Sequence, residues 1–443
     1  MGVAHLVFDA TGRSMNVFSN AAIHELGRFA AWLETADVAG VVVRSAKNAF
    51  CAGADLAELG VAYDMIMAAP KANRAQVAID HFSPLSQALR ALETSGKPVA
   101  AAIGGLALGG GCELALGCHY RVMADSPRAA LGLPESLVGL LPGAGGTQRL
   151  PRLIGVEAAL PVLLDGKRLS PTEALACGAV HEVVAPGDET LAAECWVLKA
   201  SAAQQPWDRT DWKRESSQSL AAALESARAR VATETLGHYP APLAILDCLE
   251  QGLPLPMAVA LKAEMAIFSK LIQRPEPRNM IQVLFLGKLD HDRRAKAGAL
   301  PEVLPGVAAA VASALSDVGR RARAEGVGES EIIGAWRDAG FTRPLGERAA
   351  VEHTPPRGGA AGSGRESAGL WFEHPPYTPR EALAAAFVIA GAKAAIPYLK
   401  VLDEADRRII DYAVTTNLGF PTYLGGPFTL LDYLGDEGLR DAA

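Results

Sequence analysis

The sequence predicts an α/β fold over residues 1–190, followed by a mainly α-helical C-terminal half. In the first part, short apolar runs rich in β-branched residues alternate with stretches of helical periodicity, which is typical of strands that pair in parallel. From about residue 191 to 300 the apolar spacing is helical, and no run has strand periodicity. The chain of 443 residues is also about three times as long as a typical domain. Two or three packed units are therefore expected.

The α/β part is expected to begin with a strand, a turn and a helix. Residues 4–9 alternate like a strand, Thr11 and Gly12 predict a turn, and Ser19 is placed to cap the helix that follows. The apolar residues of that helix have helical spacing: Ile23, Leu26, Phe29 and Leu33. Further strands are expected at 40–44, 98–103 and 180–184, with a helical stretch from about 63 to 92.

Beyond residue 190 the composition divides the chain again. Residues 191–300 predict a helical linker extension, and residues 301–443 predict a further helical region. Within the latter, residues 353–379 are rich in Pro, Gly and Ser, which indicates an exposed connector or a lid.

Charge and cysteine usage exclude several classes of protein. The net charge of −7 gives the chain no general attraction to nucleic acid or to an anionic membrane, so neither partner is expected. The six cysteines form no C-x-x-C pair, so neither a disulfide framework nor a zinc site is indicated. The apolar run 98–118 contains Glu113 and several glycines, which favours a buried core over a membrane span. No export signal is recognised, and a cytoplasmic location is expected.

Two glycine-containing turns predict a site for negative charge. Residues 109–111 are three glycines between a predicted strand and a helix, and residues 51–55 follow an earlier strand in the same way. Glycine lets a ligand approach the backbone closely, and free N–H groups at a helix start stabilise an anion. The two turns are able to hold one oxygen jointly, although an isolated glycine cluster more often serves only a tight turn.

Two glutamates near these turns favour an anion site over a merely tight turn. Glu113 directly follows the glycines, and Glu135 comes 22 positions later, since 135 − 113 = 22. Both interrupt apolar surroundings, where a carboxylate either pairs with a cation or has a pKa suited to proton transfer. One such residue would favour a structural role, whereas two beside an anion site favour acid–base catalysis.

Long, ordered motifs in this region resemble the crotonase, or enoyl-CoA hydratase, superfamily. The segments that carry the resemblance are 50–56 (FCAGADL), 97–103 (KPVAAAI), 108–116 (LGGGCELAL), 131–135 (LGLPE) and 139–150 (GLLPGAGGTQRL). The resemblance covers about residues 4–190. It implies that the α/β part is a spiral of ββα turns, a distinction that the apolar periodicity alone does not make.

The resemblance also implies the roles of individual residues. The backbone N–H groups of Ala54 and Gly110 would form the oxyanion hole for an acyl-CoA thioester, and Glu113 and Glu135 would be the two catalytic carboxylates. No cofactor is expected beyond the CoA of the substrate, and no metal. The expected contacts with substrate or CoA are Ala52, Asp55 and Leu56, together with Lys47 and Lys270, whose ammonium groups could neutralise CoA phosphates.

The C-terminal half resembles parts of multifunctional fatty-acid oxidation proteins. Residues 237–246, 268–271 and 278–281 are similar to the linker between hydratase and 3-hydroxyacyl-CoA dehydrogenase, and parts of 301–443 resemble, more weakly, the helical end of the dehydrogenase. The only Rossmann-like glycine spacing, at 362–364, follows no strand and leads into no helix, so hydride chemistry is not expected. A homo-oligomer or an association with a thiolase-like subunit is expected.

Three functions remain open from the sequence. Hydration of a 2-enoyl-CoA is favoured, because both glutamates are present. A Δ3-Δ2-enoyl-CoA isomerase needs only one carboxylate and the same oxyanion hole. A non-catalytic acyl-CoA-binding or scaffold subunit belongs to another class, and the presence of both glutamates argues against it.

Overall fold

The computed structural model describes residues 2–200, 203–345, 370, 372 and 378–441. The chain divides into two compact units. The first, here the sheet unit, comprises Met1–Arg228 and Ala241–Gln273; the second, here the helical unit, comprises Ala229–Pro240 and Arg274–Ala443. The segment predicted as one linker extension, 191–300, is therefore shared between the two units.

The sheet unit contains two parallel sheets. Its strands in the described residues are β1 (Val3–Phe8), β2 (Gly40–Ser45), β3 (Val99–Ile103), β4 (Leu106–Leu108), β5 (Tyr120–Ala124), β6 (Ala130–Gly132) and β7 (Glu182–Val184). The larger sheet has the order β1-β2-β3-β5-β7, and the smaller sheet pairs β4 with β6. Every one of these pairs is parallel. Consecutive strands β3 and β4, and again β5 and β6, thus belong to different sheets, which makes the ββα spiral.

The helices of the sheet unit surround these sheets. They are α1 (Asn20–Leu33), α2 (Leu56–Ala68), α3 (Arg74–Glu93), α4 (Gly110–Gly117), α5 (Gly146–Ile154), α6 (Val156–Leu164), α7 (Pro171–Ala176), α8 (Glu189–Lys199), α9 (Ser217–Thr235), α10 (Pro240–Gly252) and α11 (Met257–Leu271). Helix α9 crosses from the first unit into the second. Helices α10 and α11 lie almost wholly in the sheet unit although they follow that crossing in the chain.

The central strands are buried on both faces, as parallel strands covered by helices are. Val41 to Val43 of β2 and all of β3 are buried, and Val41 is paired with Val99. Ala193 and Val197 of α8 cover one face. This burial explains why the sequence reads here as short continuous apolar runs instead of an alternation.

Local signals predicted α1 well and the next helices less well. Ser19 caps α1 as expected, since its Oγ accepts from the N–H of Ala22 at 3.3 Å. The helical stretch predicted at 63–92 is two helices, α2 and α3, which are separated by Ala69 and Pro70 and a short 3-10 turn. A residue before proline is disfavoured in the helical conformation, which accounts for the break.

The helical unit consists of packed helices in its described residues. They are α12 (Pro275–Ile281), α13 (Lys288–Lys296), α14 (Leu304–Ala324), α15 (Glu329–Asp338), α16 (Pro379–Lys393), α17 (Glu404–Leu418) and α18 (Pro427–Asp441), with a π-helical turn at Gln282–Gly287. The mainly helical C-terminal half is thereby confirmed. The predicted connector 353–379 and the glycines at 362–364 fall mostly or wholly outside the described residues.

One described stretch, 379–398, is long and apolar enough to cross a membrane by length and composition alone. Its residues Phe387, Val388 and Ala392 are buried in the apolar core of the helical unit, together with Val311 and Leu315 of α14. We therefore assign α16, which makes up most of this stretch, to the core of that unit.

Candidate active site

Two backbone turns meet at the ends of β2 and β4. Cys51 forms a parallel bridge to Ala107. Beyond it, a Cβ atom built on Gly53 would lie 3.2 Å from the carbonyl oxygen of Leu108 and 3.7 Å from the amide nitrogen of Gly110. The two glycine-containing turns that the sequence singled out are therefore in contact.

The N–H groups of Ala54 and Gly110 are available to a ligand. Within the part of the chain that the structure describes, neither N–H donates a hydrogen bond to a protein group. Gly110 is the first residue of α4, where backbone donors have no partner inside the helix. Two free donors on adjoining turns can stabilise the oxygen of a polarised carbonyl group.

Gly110 is tightly surrounded, which leads to a prediction. A Cβ atom here would lie 3.0 Å from Cδ2 of Phe18 and 3.5 Å from Cδ2 of Leu85, so a Gly110→Ala variant needs only a small shift of a side chain. We expect this variant to fold. If Gly110 has the oxyanion role that the resemblance implies, the variant should turn over an enoyl-CoA about tenfold to a hundredfold more slowly, because the added methyl group disturbs that donor. The measurements are the thermal midpoint and the turnover of an enoyl-CoA.

Gly111→Ala is the matched control for that prediction. A Cβ atom on Gly111 would lie 2.4 Å from the backbone oxygen of Cys51, so this variant should lose mainly stability. A folded Gly110→Ala variant with full activity would contradict the role of Gly110 as an oxyanion donor.

Glu113 lies in the first turn of α4 and is buried. Its Oε1 accepts hydrogen bonds from the N–H groups of Ala144 and Gly146, both at 2.7 Å. Burial raises the pKa of Glu113, whereas these two hydrogen bonds and the nearby Arg149 favour the charged form. The carboxylate of Glu113 is thus held in place through its Oε1 atom.

Glu135 lies close to Gly109, the residue that precedes α4. It lies in a short 3-10 helix, Pro134–Val138, directly after β6, and its Oε1 is 3.0 Å from the position that a Cβ atom on Gly109 would take. Its Oε2 is buried and has no hydrogen-bond partner among the described residues. Burial, followed by the charge of Glu113, raises the pKa of Glu135 well above its ordinary value. Such an oxygen is suited to face a water molecule or a substrate.

The turn that holds Glu113 requires glycine at position 145. Gly145 has a φ of 101°, and a Cβ atom there would lie 1.9 Å from Nη1 of Arg149. That Nη1 donates to the carbonyl oxygen of Ala144 at 2.7 Å, while the rest of the guanidinium binds both oxygens of Glu93 at 2.8 and 3.0 Å. The side chains of Arg149 and Glu93 are both 0% exposed. A buried ion pair therefore braces the turn from behind.

A third buried glutamate contacts this turn, and the sequence analysis missed it. Glu264 of α11 accepts from the N–H of Gly145 at 2.7 Å and from the N–H of Thr147 at 3.2 Å, and it also contacts the hydroxyl of Thr147. Its place on the apolar face of α11 was a usable signal, because it has helical spacing with three buried residues: Leu261, Met265 and Phe268. Burial and then the charge of Glu113 raise the pKa of Glu264 to about 8.

The predicted charged contacts with CoA are engaged with a nearby loop. Nζ of Lys47 donates to the backbone oxygens of Ala10 and Arg13, both at 2.5 Å. Asp55 caps α2 by accepting from the N–H of Ala57 at 3.1 Å and pairs with the guanidinium of Arg13 at 2.5 Å. Both side chains thus support the backbone beside the site, and their contact with CoA stays a prediction.

The remaining predicted contacts with substrate or CoA are Ala52, Leu56 and Lys270, and they stay predictions. Ala52 and Leu56 are half-buried at the turn and at the start of α2, and Lys270 is exposed near the end of α11. Among the described residues, no group of three or more His, Cys, Asp or Glu side chains is arranged to hold a metal ion.

The two parallel sheets and the helices that follow them form a crotonase-type fold. A family model described as enoyl-CoA hydratase/isomerase matches residues 2–236, which is more than half of the chain. The chain belongs to the enoyl-CoA hydratase/isomerase family.

Curated relatives are similar over a longer segment. The fatty acid oxidation complex subunit alpha of Shewanella halifaxensis (strain HAW-EB4) is 35% identical over 292 residues, 64% of this chain and 39% of the relative. The subunit of the same name from Shewanella frigidimarina (strain NCIMB 400) is 33% identical over 305 residues, 68% and 42% of the two chains. The chain thus spans about two fifths of the length of these relatives.

Among solved structures, the crystal structure of the enoyl-CoA hydratase from Bacillus anthracis is 26% identical to this chain. The aligned part makes up 64% of this chain and 92% of the hydratase chain, with a TM-score of 0.36.

Proposed function

We propose that the chain is a 2-enoyl-CoA hydratase, which adds water across the 2,3 double bond of an acyl-CoA thioester to give a 3-hydroxyacyl-CoA. The observation that carries the proposal is that Glu113 lies in the first turn of the helix that begins at Gly110, while Glu135 lies against Gly109. Among the described residues, the N–H of Gly110 has no hydrogen-bond acceptor. Proton-transfer groups and an oxyanion donor are thereby adjacent, as this reaction requires. Membership of the enoyl-CoA hydratase/isomerase family supports the substrate class.

The electrostatics of the two glutamates suggest how they divide the work. Glu113 receives two backbone hydrogen bonds that favour its charged form, so it is assigned as the base that takes a proton from water as the oxygen attacks C3. Glu135, whose pKa is raised further, is assigned as the acid that donates a proton to C2. The N–H groups of Ala54 and Gly110 stabilise the negative charge on the thioester oxygen. One water molecule is consumed, and the proton taken by Glu113 replaces the one that Glu135 gives up.

This assignment predicts a bell-shaped dependence of the hydration rate on pH. Glu113 must be charged, and burial places its pKa above the ordinary value of 4.5. Glu135 must be protonated, and its pKa lies well above 4.5. The rate should therefore rise with pH through the lower pKa of the coupled pair and fall through the higher one. The measurement is kcat/KM for an enoyl-CoA between about pH 5 and 9.

A variant without a titratable acid serves as the control for the pH profile. In Glu135→Gln, the residual hydration rate should still fall at acid pH but should no longer fall at alkaline pH. A wild-type rate that does not change over this pH range would contradict the assignment of the two carboxylates.

A Δ3-Δ2-enoyl-CoA isomerase is the second candidate. The unpaired Oε2 of Glu135 favours it, because a single carboxyl group beside an oxyanion hole can move a proton between two carbon atoms. Hydration uses two glutamates, and the charge of Glu113 acts on the buried carboxyl group of Glu135, which supports the preference for hydratase.

A substrate panel separates these functions. The purified full chain would be incubated with 2-enoyl-CoAs of several chain lengths while the loss of enoyl absorbance is followed, and then with 3-enoyl-CoAs. Hydration is the expected result. A gain of absorbance with 3-enoyl-CoAs alone would replace hydratase by isomerase, and binding of the thioesters without any reaction would favour a non-catalytic acyl-CoA-binding or scaffold subunit.

The wider role proposed here is in fatty-acid oxidation. The curated relatives are called subunits of a fatty acid oxidation complex, which supports a place for this chain in such a complex. A thiolase-like subunit is proposed as the partner, and a cytoplasmic location stays an expectation from the sequence. No dehydrogenase step is assigned to the helical unit, so addition of NAD and a 3-hydroxyacyl-CoA to the pure chain should give no NADH.

A further inference from the structure

The N–H groups of residues 144–147, where α5 begins, are divided between two buried carboxylates. The first and the third donate to Glu113, and the second and the fourth donate to Glu264. The two glutamates approach from different parts of the chain, since one lies on α4 and the other on α11. The turn is therefore fixed between them.

We propose that Glu264 is a positioning residue for the hydration reaction, which holds this turn so that its donors stay aimed at Glu113. The inference rests on the proposed function, because it assigns Glu113 to the chemistry. Glu264 itself is not assigned any contact with substrate. It acts through the backbone of residues 144–147 alone.

The packing of α11 does not by itself call for a carboxylate at this position. Glu264 is 0% exposed and lies on the same face of α11 as Leu261, Met265 and Phe268. The ring of Phe268 contacts Phe82 of α3 at a centroid distance of 4.9 Å, so the helix is anchored by apolar contacts on either side of the glutamate. An apolar side chain would fill this space without the cost of burying a carboxylate. The hydrogen bonds to the turn account for the glutamate.

The groups that titrate near Glu264 determine how its loss would affect the pH profile. The titratable or charged groups that interact with it from the surrounding elements are Glu113, Glu135, Arg149, Arg152 and Cys248. Above its pKa of about 8 Glu264 is charged, and loss of that charge lowers the pKa of neighbouring carboxyl groups. A loosened turn instead weakens the hydrogen bonds that favour charged Glu113 and so raises its pKa. These two effects have opposite signs, so the test must separate them.

A pair of neutral variants of similar size separates them. Glu264→Gln and Glu264→Met both lack the charge, but only glutamine keeps an oxygen that accepts from the turn. We expect Glu264→Met to have a kcat lower by about tenfold or more than Glu264→Gln, with KM values equal within about twofold. The acid side of the kcat profile should lie at higher pH in the Met variant than in the Gln variant.

Ser269→Ala is the matched control on the same helix. Ser269 is also buried, but its hydroxyl donates within α11, to the backbone oxygen of Ala266, and does not reach the turn. This variant should keep the wild-type kcat and pH profile. Equal kcat values and equal pH profiles for Glu264→Gln and Glu264→Met would overturn the proposal, because a merely structural glutamate predicts no such difference.

A second pair keeps the test decisive if Glu264→Met does not fold. Thr147→Val removes the hydroxyl that contacts Glu264, and Thr147→Ser restores it. The Val variant should have a kcat several-fold lower than the Ser variant. The acid side of its kcat–pH profile should also lie at higher pH. Identical profiles for these two variants would overturn the proposal.

Hydrogen exchange distinguishes a failure of this inference from a failure of the proposed function. The amides of residues 144–147 should exchange faster in Glu264→Met than in Glu264→Gln, or in Thr147→Val than in Thr147→Ser, without any substrate. If these variants show the faster exchange but the wild-type protein hydrates no enoyl-CoA, the hydratase function is refuted, while the role of Glu264 in holding the turn is retained. An active wild type with no difference in exchange would refute the role of Glu264 alone.

Discussion

Glu135→Gln is expected to lower the rate of enoyl-CoA hydration by about a hundredfold or more, because glutamine cannot transfer the proton that C2 requires. The substitution keeps the size of the side chain, and the affected Oε2 has no protein partner among the described residues. The fold should therefore be retained. Glu113→Gln should have a loss of similar size, since it removes the proposed base. Turnover and the thermal midpoint would be measured for both variants.

Glu157→Gln provides a matched control for these substitutions. Glu157 is an exposed residue in the first turn of α6, and among the described residues it has no hydrogen bond or ion pair with Glu113 or Glu135, so its variant should keep the wild-type rate. Near-normal turnover in Glu113→Gln and Glu135→Gln would exclude both residues from catalysis.

The largest expected effect on stability is at the buried ion pair behind the active-site turn. Arg149→Met leaves the carboxylate of Glu93 buried, with Arg90, at 2.9 Å, as its remaining hydrogen-bond donor among the described residues. It also removes the donor to the carbonyl oxygen of Ala144. Removal of one partner from a buried pair typically lowers the free energy of unfolding by about 3–5 kcal/mol. This change would be measured by denaturant titration of the full chain, with hydrogen exchange of the backbone amides in β3 as the readout.

A surface pair on the same unit supplies the comparison. Lys167 and Glu173 are 3.0 Å apart, with side chains 50% and 47% exposed, so Lys167→Met should cost less than about 1 kcal/mol. Equal losses for Arg149→Met and Lys167→Met would mean that the buried pair does not brace the turn.

The sequence predicted the residues of the candidate site better than the path of the chain around it. Glu113 and Glu135 are brought together because β4 and β6 are neighbouring parallel strands, with the N–H of Gly109 donating to the carbonyl oxygen of Gly132 at 2.9 Å. Each of these strands has only three residues, too few to show a period. The ββα spiral was therefore expected only from the resemblance of longer motifs, and the structure confirms it.

Long-range contacts limited the rest of the prediction. Glu264 lies more than 100 residues from the turn that it contacts, and no local pattern indicates such a partner. Lys47 was predicted to contact CoA from its charge, and that charge did not indicate that its ammonium group donates to the backbone oxygens of Ala10 and Arg13. The local sequence pattern thus indicates which polar side chains lie in apolar surroundings, but it does not indicate which groups those side chains contact.

The contact between α11 and the active-site turn matters for anyone who shortens this protein. The match to the family model ends at residue 236, and a fragment cut there would still contain every predicted catalytic and oxyanion residue. It would lack α11, and with it the acceptor for the amides of Gly145 and Thr147. The sheet unit, which contains both α11 and this turn, extends to Gln273, even though residues 229–240 belong to the helical unit. Family similarity and structural completeness therefore give different places to cut.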